Sequence, residues 1–223
     1  MSDIEVIVTS DGSNSIFNSL LNETYHSRHG AIQESLHVFI RSGLEHFIRE
    51  RGKEEIRILE VGLGTGLNAL LTLKHVVNTK QQIYYFALEP YPLDSEILKQ
   101  LNYSGDSGDV QMYFNKLYEA AWEVDQEIAL TFKLHKTKTF LQKAELPKNR
   151  FDVIYFDAFA PNKQPEMWEM EVLRKVTEAM TPGAVLVTYC ARGQFKRDLQ
   201  SLNLKVETLP GPPGKKEMVR ASK

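Results

Sequence analysis

The chain has a single cysteine and no long apolar run, and both absences restrict the class of protein. Cys190 cannot form an internal disulfide, and its place at the end of the apolar run Val185–Cys190 predicts a buried, reduced thiol. No apolar stretch approaches the roughly 20 residues that span a bilayer. Met1-Ser2-Asp3 also lacks the basic start of a signal peptide. We therefore expect a cytoplasmic protein with no membrane partner.

A strong charge of either sign is also missing. The net charge of −2 does not by itself indicate a nucleic-acid-binding protein. The distribution is uneven, however, because residues 205–223 contain five basic side chains against two acidic ones. We predict that Lys215, Lys216 and Arg220 contact phosphates of a nucleic acid, the alternatives being solvated surface lysines or a strand-end ion pair of Lys216 or Glu217.

Hydrophobic periodicity predicts one domain over residues 1–223. With 42% hydrophobic residues and no repeat or linker, the chain is long enough to bury its own core. Residues 1–52 read as a hairpin (4–9 and 15–18) followed by a helix (32–51), and residues 53–223 read as alternating strands and helices. The predicted strands are 58–61, 83–89, 131–135, 151–157, 184–190, 206–209 and 217–220, and the predicted helices are 68–77, 94–101, 167–180 and 194–202.

This order of elements predicts an α/β fold. Repeated βα units produce a mostly parallel sheet, here with seven strands and with helices on both faces. The last two strands, 206–209 and 217–220, are close enough in sequence to pair as an antiparallel C-terminal edge.

The most informative motif is a buried strand, Ile58–Val61, followed by Gly62, Gly64 and Gly66. A dinucleotide site needs the spacing G-x-G-x-x-G, so the alternate glycines argue against NAD. Glu60 followed by G-x-G-x-G is instead the pattern of Rossmann-like methyltransferases that bind S-adenosylmethionine, and this sequence resembles them here. The alternative is a glycine-rich turn without a ligand.

A second carboxylate is expected to bind the ribose of that cofactor. The apolar run Ile83–Leu88 ends in Glu89, close to the spacing of a ribose-binding acid in a βαβ unit. One carboxylate can accept hydrogen bonds from both ribose hydroxyls. The alternative is a solvated glutamate at the end of a strand.

The fully apolar fourth core strand ends in Asp157, and the stiff turn that follows contains Phe159 and Pro161. Methyltransferases that modify amino nitrogens often carry an acidic or amide residue with a proline and an aromatic residue at this point. Asp157, Phe159 and Pro161 are therefore the predicted catalytic residues. Tyr25 and Trp168 are predicted to stack on the cofactor or on a base, although either could be a core or interface aromatic.

Four segments carry a more specific resemblance, in this order along the chain: residues 23–39, Glu60 to Asn68, Asp157 to Trp168, and the sequence Gly-Pro-Pro-Gly-Lys-Lys-Glu-Met at 211–218. Together they resemble the methyltransferase domain of MnmC, the family of bifunctional proteins that make 5-methylaminomethyl-2-thiouridine in tRNA, including its stand-alone forms. The resemblance covers most of the chain.

The resemblance implies transfer of a methyl group to the primary amine of a 5-aminomethyl group on the wobble uridine, in the anticodon stem-loop of tRNA. It implies S-adenosylmethionine as the cofactor, with Tyr25 and Asn68 in its site, residues 1–52 as a cover and residues 53–223 as the core. It implies no metal, and the chain is too short to include the FAD-dependent oxidoreductase half of larger members. Members often have an Asp near the position of Lys136 for adenine, so backbone groups are expected to bind adenine here.

The chemistry requires that the amine lose a proton first. An alkylamine is mostly protonated at pH 7, and an ammonium has no lone pair with which to attack a sulfonium. Asp157 can orient the amine and accept its proton, provided that burial beside Phe156 and Phe159, or a relay to water, makes it basic enough. His26, His29 and His37 have no cysteine or carboxylate cluster to complete a metal site.

Two other functions are open from the sequence. A methyltransferase for small amines, or an aminopropyltransferase, would use the same Glu60 and Glu89 but would need further acidic residues to hold a polyamine. A non-catalytic RNA-binding module would bind no S-adenosylmethionine.

Overall fold

A single mixed sheet of eight strands forms the centre of the protein. The computed structural model describes residues 3–105 and 107–223. The central strands are β4 (Glu55–Val61), β5 (Gln82–Leu88), β6 (Asp125–Ala129), β7 (Phe132–Thr137), β8 (Phe151–Phe156), β9 (Met180–Thr188), β10 (Lys205–Pro210) and β11 (Glu217–Ser222). Their order across the sheet is β10-β11-β9-β8-β4-β5-β7-β6.

The five inner strands from β9 to β7 are parallel, and both edges are antiparallel. Every residue of β8 is buried, as expected of an uninterrupted apolar strand covered on both faces by helices. The helices of this core are Leu67–Val76, Ser95–Leu98, Gly108–Glu119, Met170–Ala179 and Gly193–Ser201. The predicted Rossmann-like α/β fold with an antiparallel C-terminal edge is confirmed.

Residues before the core form a small antiparallel sheet of β1 (Ile4–Val8), β2 (Asn14–Asn18) and β3 (Glu23–Thr24). A long helix follows, built from Ala31–Ser35, the π-helical turns Leu36–Glu45 and His46–Arg51. Asp11 in the hairpin turn accepts a hydrogen bond from the Gln33 N–H (3.0 Å), which satisfies a free donor at the start of the helix. The helix lies close to the sheet, since a Cβ on Gly43 would be 2.8 Å from Val187.

Two elements of the core, besides the short β3, were missing from the sequence prediction, so the sheet has eight strands rather than the predicted seven. Strand β6 is an exposed edge strand with the largely polar sequence Asp-Gln-Glu-Ile-Ala, so it lacks the apolar pattern of the inner strands. The helix Gly108–Glu119 buries only Phe114 and Leu117 fully, which is too few residues for a clear periodic signal.

The predicted helix 167–180 is divided in the structure. A single 3-10 turn covers Pro165–Trp168, the backbone is extended at Glu169 (ψ 148°), and the helix then runs over Met170–Ala179. None of the helices in the described part of the chain is both long and apolar enough to cross a bilayer.

The topology brings the three motif-bearing strands together. Strand β4 lies between β5 and β8, so their carboxyl ends meet at one edge of the sheet. The Asp157 N–H donates to the Val61 carbonyl (3.0 Å), and the Gly62 N–H donates to the Leu88 carbonyl (3.0 Å). The glycine loop, Glu89 and Asp157 therefore surround one space at the carboxyl edge of the sheet.

Candidate active site

The glycine loop requires two of its glycines for different reasons. Gly62 has φ +89°, and a Cβ there would be 2.7 Å from the backbone oxygen of Asp157. Gly64 has φ +51°, and its Cβ would be 3.0 Å from the Tyr25 ring. Left-handed backbone and close neighbours exclude larger residues at both positions. Gly66 directly precedes the helix Leu67–Val76.

Glu89 is tied to the same loop. Its Oε2 accepts a hydrogen bond from the Gly64 N–H (2.8 Å), and its Oε1 accepts one from the Tyr91 N–H (2.9 Å). Burial raises the pKa of Glu89, and the two backbone donors oppose that rise. Each carboxylate oxygen has a second lone pair, so the side chain can accept two more hydrogen bonds from a ligand.

Asn68 connects two of the predicted carboxylates. Its Nδ2 donates to Glu60 Oε1 (2.9 Å) and to Asp157 Oδ2 (2.8 Å). Glu60 is fully buried, and burial raises its pKa well above the ordinary value, against the lowering effect of the Asn68 hydrogen bond. Glu60, Gly66 and Asn68 do not line the main cavity, although Gly66 lines a smaller one beside the same loop. Asn68 supports Asp157 through its hydrogen bond.

Asp157 has the proton affinity that the sequence argument required. Burial, followed by the nearby charge of Glu34, raises its pKa to about 7, against the lowering effects of the Asn68 hydrogen bond and of Lys215. Both the protonated and the ionised form of Asp157 are then accessible near neutral pH. A carboxylate with this pKa can exchange a proton with an amine near neutral pH much more readily than an ordinary one.

A cavity of about 1370 Å³ opens in front of these residues. Typical small-molecule pockets have about 300–1,000 Å³. The space is therefore large enough for a cofactor and an acceptor group together. The predicted site residues on its wall are Tyr25, Gly62, Gly64, Glu89, Asp157, Phe159 and Lys215.

The two predicted stacking residues have different positions. Tyr25 lies on the cavity wall, edge-on to Phe159 with 5.1 Å between ring centroids, and burial with the charge of Glu89 raises its pKa to about 12. Trp168 is buried against Phe156 and Phe195, and its Nε1 donates to the Phe159 carbonyl (2.8 Å). Trp168 is thus a core aromatic that holds the Phe159 backbone. Pro161 begins the turn between Phe159 and the 3-10 turn that contains Trp168.

The predicted phosphate contacts are not equally free. Lys215 forms an ion pair with Glu34, and Arg220 donates from Nε to Glu207 Oε2 (3.0 Å). Lys216 is exposed. Its neighbour Glu217 pairs with Lys196 (3.3 Å), which is the strand-end ion pair considered for this segment. Phosphate contacts by Lys215 or Arg220 would require these pairs to break.

Lys136 is a structural residue. Its Nζ donates to the Leu117 carbonyl (2.9 Å) and to the Tyr118 carbonyl (3.0 Å), and lies 4.7 Å from the centre of the Trp122 ring. It therefore binds carbonyls at the end of the helix Gly108–Glu119. Desolvation lowers its pKa to about 8.

The histidines have separate partners. His26 Nδ1 lies at hydrogen-bond distance from the Ser15 hydroxyl (3.3 Å), and His37 Nε2 lies at hydrogen-bond distance from the Pro210 carbonyl (2.8 Å). Over residues 3–105 and 107–223, no group of three or more His, Cys, Asp or Glu side chains is arranged to hold a metal ion.

Sequence reasoning missed Glu34, the partner of Lys215, and Tyr189, whose ring faces it. Glu34 and Lys215 are 181 positions apart, so no local pattern could connect them. Glu34 lies in one segment of the family resemblance and Lys215 in another, but their contact required the structure.

Comparison with known families agrees with this geometry. The family model of S-adenosyl-L-methionine-dependent methyltransferases matches residues 87–223, which is more than half of the chain. The chain belongs to this family. It is a methyltransferase related to MnmC, and the chain spans about a third of the length of the curated relatives that it matches.

Two such relatives are named tRNA 5-methylaminomethyl-2-thiouridine biosynthesis bifunctional protein MnmC. The protein from Cupriavidus metallidurans is 29% identical over 232 residues, covering 97% of this chain and 33% of the relative. The protein from Leptospira interrogans is 29% identical over 212 residues, covering 90% of this chain and 32% of the relative.

Among solved structures, MNMC2 from Aquifex aeolicus superposes with a TM-score of 0.83 at 27% identity, covering 100% of this chain and 71% of that one. A probable spermidine synthase from Corynebacterium glutamicum has a TM-score of 0.54 at 17% identity, covering 98% of this chain and 76% of that one, and it shows a shared fold only.

Proposed function

We propose that this methyltransferase acts on tRNA and converts the 5-aminomethyl group of the wobble uridine to 5-methylaminomethyl, in the cytoplasm. The observation that carries the proposal is Asp157, whose pKa of about 7 suits exchange of a proton with an amine beside the glycine loop. The printed names of the relatives concern the same modified nucleoside and support the choice of acceptor. The reaction itself requires neither a metal nor FAD.

The residues of the loop fit S-adenosylmethionine. Gly62 and Gly64 bring side-chain-free backbone to the cavity wall, and Glu89 presents free lone pairs beside it. Glu89 would hold the ribose hydroxyls, and Tyr25 from the N-terminal residues 1–52 would cover the cofactor. Since Lys136 is fully engaged, adenine would contact backbone groups and the rings of Tyr91 and Phe140, which also line the cavity. When bound, S-adenosylmethionine supplies a methyl group on its sulfonium.

Asp157 would bind the acceptor ammonium and take one of its protons. The carboxylate is aligned by Asn68, and the backbone N–H of Asp157 is fixed by its hydrogen bond to the Val61 carbonyl. Loss of the proton leaves the amine with a lone pair for bond formation to the methyl carbon. Fixed orientation of the amine then supplies much of the rate.

A second candidate acceptor is a small polyamine. Glu23, Glu34 and Asp157 all line the cavity, so the further carboxylates that such a substrate needs are present. Transfer of a labelled methyl group to a panel of acceptors separates the two functions. We expect label in tRNA that carries the 5-aminomethyl group and none in spermidine or putrescine. Label in the polyamines alone would replace the tRNA proposal.

Glu89→Ala should weaken binding of S-adenosylmethionine by about 1.5–3 kcal/mol, the cost of losing hydrogen bonds to a charged group. Titration calorimetry measures this directly. Glu166→Ala removes an exposed carboxylate from the same cavity without touching the loop and serves as the control. Equal affinity in Glu89→Ala and wild type would remove the ribose assignment.

Lys216→Ala should raise KM for tRNA and reduce the slope of log K against log salt by about 0.9, the effect of one lost phosphate contact on a duplex. Lys216 is the residue to change because Lys215 and Arg220 already have partners. Lys205→Ala, at the other end of the β10–β11 pair, is the matched control. If the two variants have the same salt slope, the tRNA surface lies elsewhere, for example at Arg192, Lys196 and Arg197.

A further inference from the structure

An ion pair joins the two ends of the chain in the wall of the cavity. Glu34, from the first turns of the long helix, is buried, and its Oε1 accepts a hydrogen bond from the Ser27 N–H (3.1 Å). Its Oε2 pairs with Lys215, from the loop between β10 and β11. The Lys215 Nζ also lies 3.9 Å from the centre of the Tyr189 ring, at cation–π distance.

This pair is adjacent to the carboxylate that the reaction needs. Glu34, Asp157, Tyr189 and Lys215 line the same cavity. The Tyr189 hydroxyl donates to the Ala158 carbonyl (2.8 Å), so the ring that carries the Lys215 ammonium is bonded to the residue next to Asp157. The ion pair, the ring and the Asp157 backbone thus form one connected structure.

The two members of the pair act on Asp157 with opposite signs. The charge of Glu34 raises the pKa of Asp157, and that of Lys215 lowers it. Burial also raises the pKa of Glu60, Tyr85 and Tyr189, so the two tyrosines carry no charge near pH 7. His26, beside Glu34, is also neutral, since burial lowers its pKa to about 4. Lys215, which pairs with Glu34, therefore offsets the charge of Glu34 at Asp157.

We propose that Lys215 is a positioning residue, which neutralises Glu34 and thereby keeps Asp157 ionised and able to receive the ammonium of the acceptor. The proposal rests on the function proposed above. This role of Lys215 differs from a phosphate contact, because Glu34 and Tyr189 hold the Lys215 ammonium in the cavity wall. In the absence of Lys215, the unpaired Glu34 charge would favour the protonated form of Asp157.

Lys215→Met tests the proposal because it keeps much of the side-chain length and removes the charge. The acid limb of the pH profile of kcat/KM for tRNA should move upward by about one pH unit, the effect of one charge at short range in a partly buried site. Activity should fall about 10-fold below pH 7 and recover towards the wild-type level at high pH. Lys215→Arg should retain the wild-type profile, since the guanidinium keeps both the ion pair and the contact with the ring.

A double variant separates the charge effect from damage to the fold. Glu34→Gln with Lys215→Met removes both charges, so its acid limb should return towards that of wild type. Lys80→Met, which breaks the exposed pair of Lys80 with Glu54 (2.9 Å) at the opposite end of the strands, controls for the loss of a lysine. An acid limb of Lys215→Met that coincides with that of wild type overturns the proposal, as does a double variant that is shifted as far as the single one.

A second readout does not depend on the acceptor. Carbon-13 NMR of the aspartate carboxyl groups, with Asp157 assigned through Asp157→Asn, follows the titration of this side chain directly. The Asp157 signal should titrate at higher pH in Lys215→Met than in wild type. If the wild-type protein fails to methylate tRNA while this shift is present, only the proposed function fails. If tRNA is methylated and the shift is absent, the role of Lys215 fails.

Discussion

Replacing Asp157 with asparagine should lower turnover at least about 100-fold and leave the affinity for S-adenosylmethionine nearly unchanged. Asparagine has nearly the same shape, and its carbonyl oxygen can still accept the hydrogen bond from Asn68. It cannot take a proton from the acceptor ammonium. Turnover is measured with saturating tRNA, and cofactor affinity is measured separately by calorimetry.

The pH dependence separates proton transfer from orientation. Because the pKa of Asp157 is raised to about 7, wild-type activity should rise with pH through this value as the carboxylate ionises. The variant should lose that limb and recover part of its activity at high pH, where the free amine needs no proton acceptor. A variant with low turnover but an unchanged pH profile would leave orientation as the only role of Asp157.

The second large effect is expected at Gly62. An added Cβ would lie 2.7 Å from the Asp157 oxygen and 3.3 Å from its carbonyl carbon, and both are backbone atoms that cannot turn aside. Gly62→Ala should therefore displace the loop from Asp157 and reduce both cofactor affinity and turnover at least about 100-fold, with about 1–3 kcal/mol lost in the free energy of unfolding.

Gly52→Ala is the matched control for that experiment. Gly52 is also left-handed (φ +60°), but no atom lies within 4 Å of its added Cβ. Denaturant unfolding should show a loss of about 1–2 kcal/mol from backbone strain alone, with normal binding of the cofactor. Wild-type cofactor affinity in Gly62→Ala would mean that the loop can move without harm, contrary to our account.

The sequence was sufficient to predict the parts of the fold that depend on local pattern. The three strands that carry motifs, β4, β5 and β8, contain apolar runs, and each is followed by a residue of the predicted site: Gly62, Glu89 or Asp157. Parallel strands end at the same edge, so Glu89 and Asp157 could be assigned to one site before their contacts were known. Gly62 and Gly64, in the loop at that edge, could also be assigned, because left-handed backbone favours glycine.

The remaining features depend on contacts between distant parts of the chain. Strand β6 is stabilised by pairing with β7 rather than by its own apolar residues. Trp168 was predicted to stack on the cofactor or on a base, but its indole N–H donates a hydrogen bond to the Phe159 carbonyl. The pairing of Lys215 with Glu34 also depends on the fold. From the sequence Lys215 is one of several basic residues predicted to contact phosphates, but in the structure it pairs with Glu34 in the cavity wall.

Nucleoside mass spectrometry is the most direct test of the central claim. Undermodified tRNA carrying 5-aminomethyl-2-thiouridine is incubated with the protein and S-adenosylmethionine and then digested to nucleosides. The masses of the nucleosides are measured. Our account predicts that this nucleoside gains the mass of one methylene group and becomes 5-methylaminomethyl-2-thiouridine, and that Asp157→Asn leaves it unchanged over the same time. An unaltered wobble nucleoside, in a preparation that binds S-adenosylmethionine normally, would contradict it.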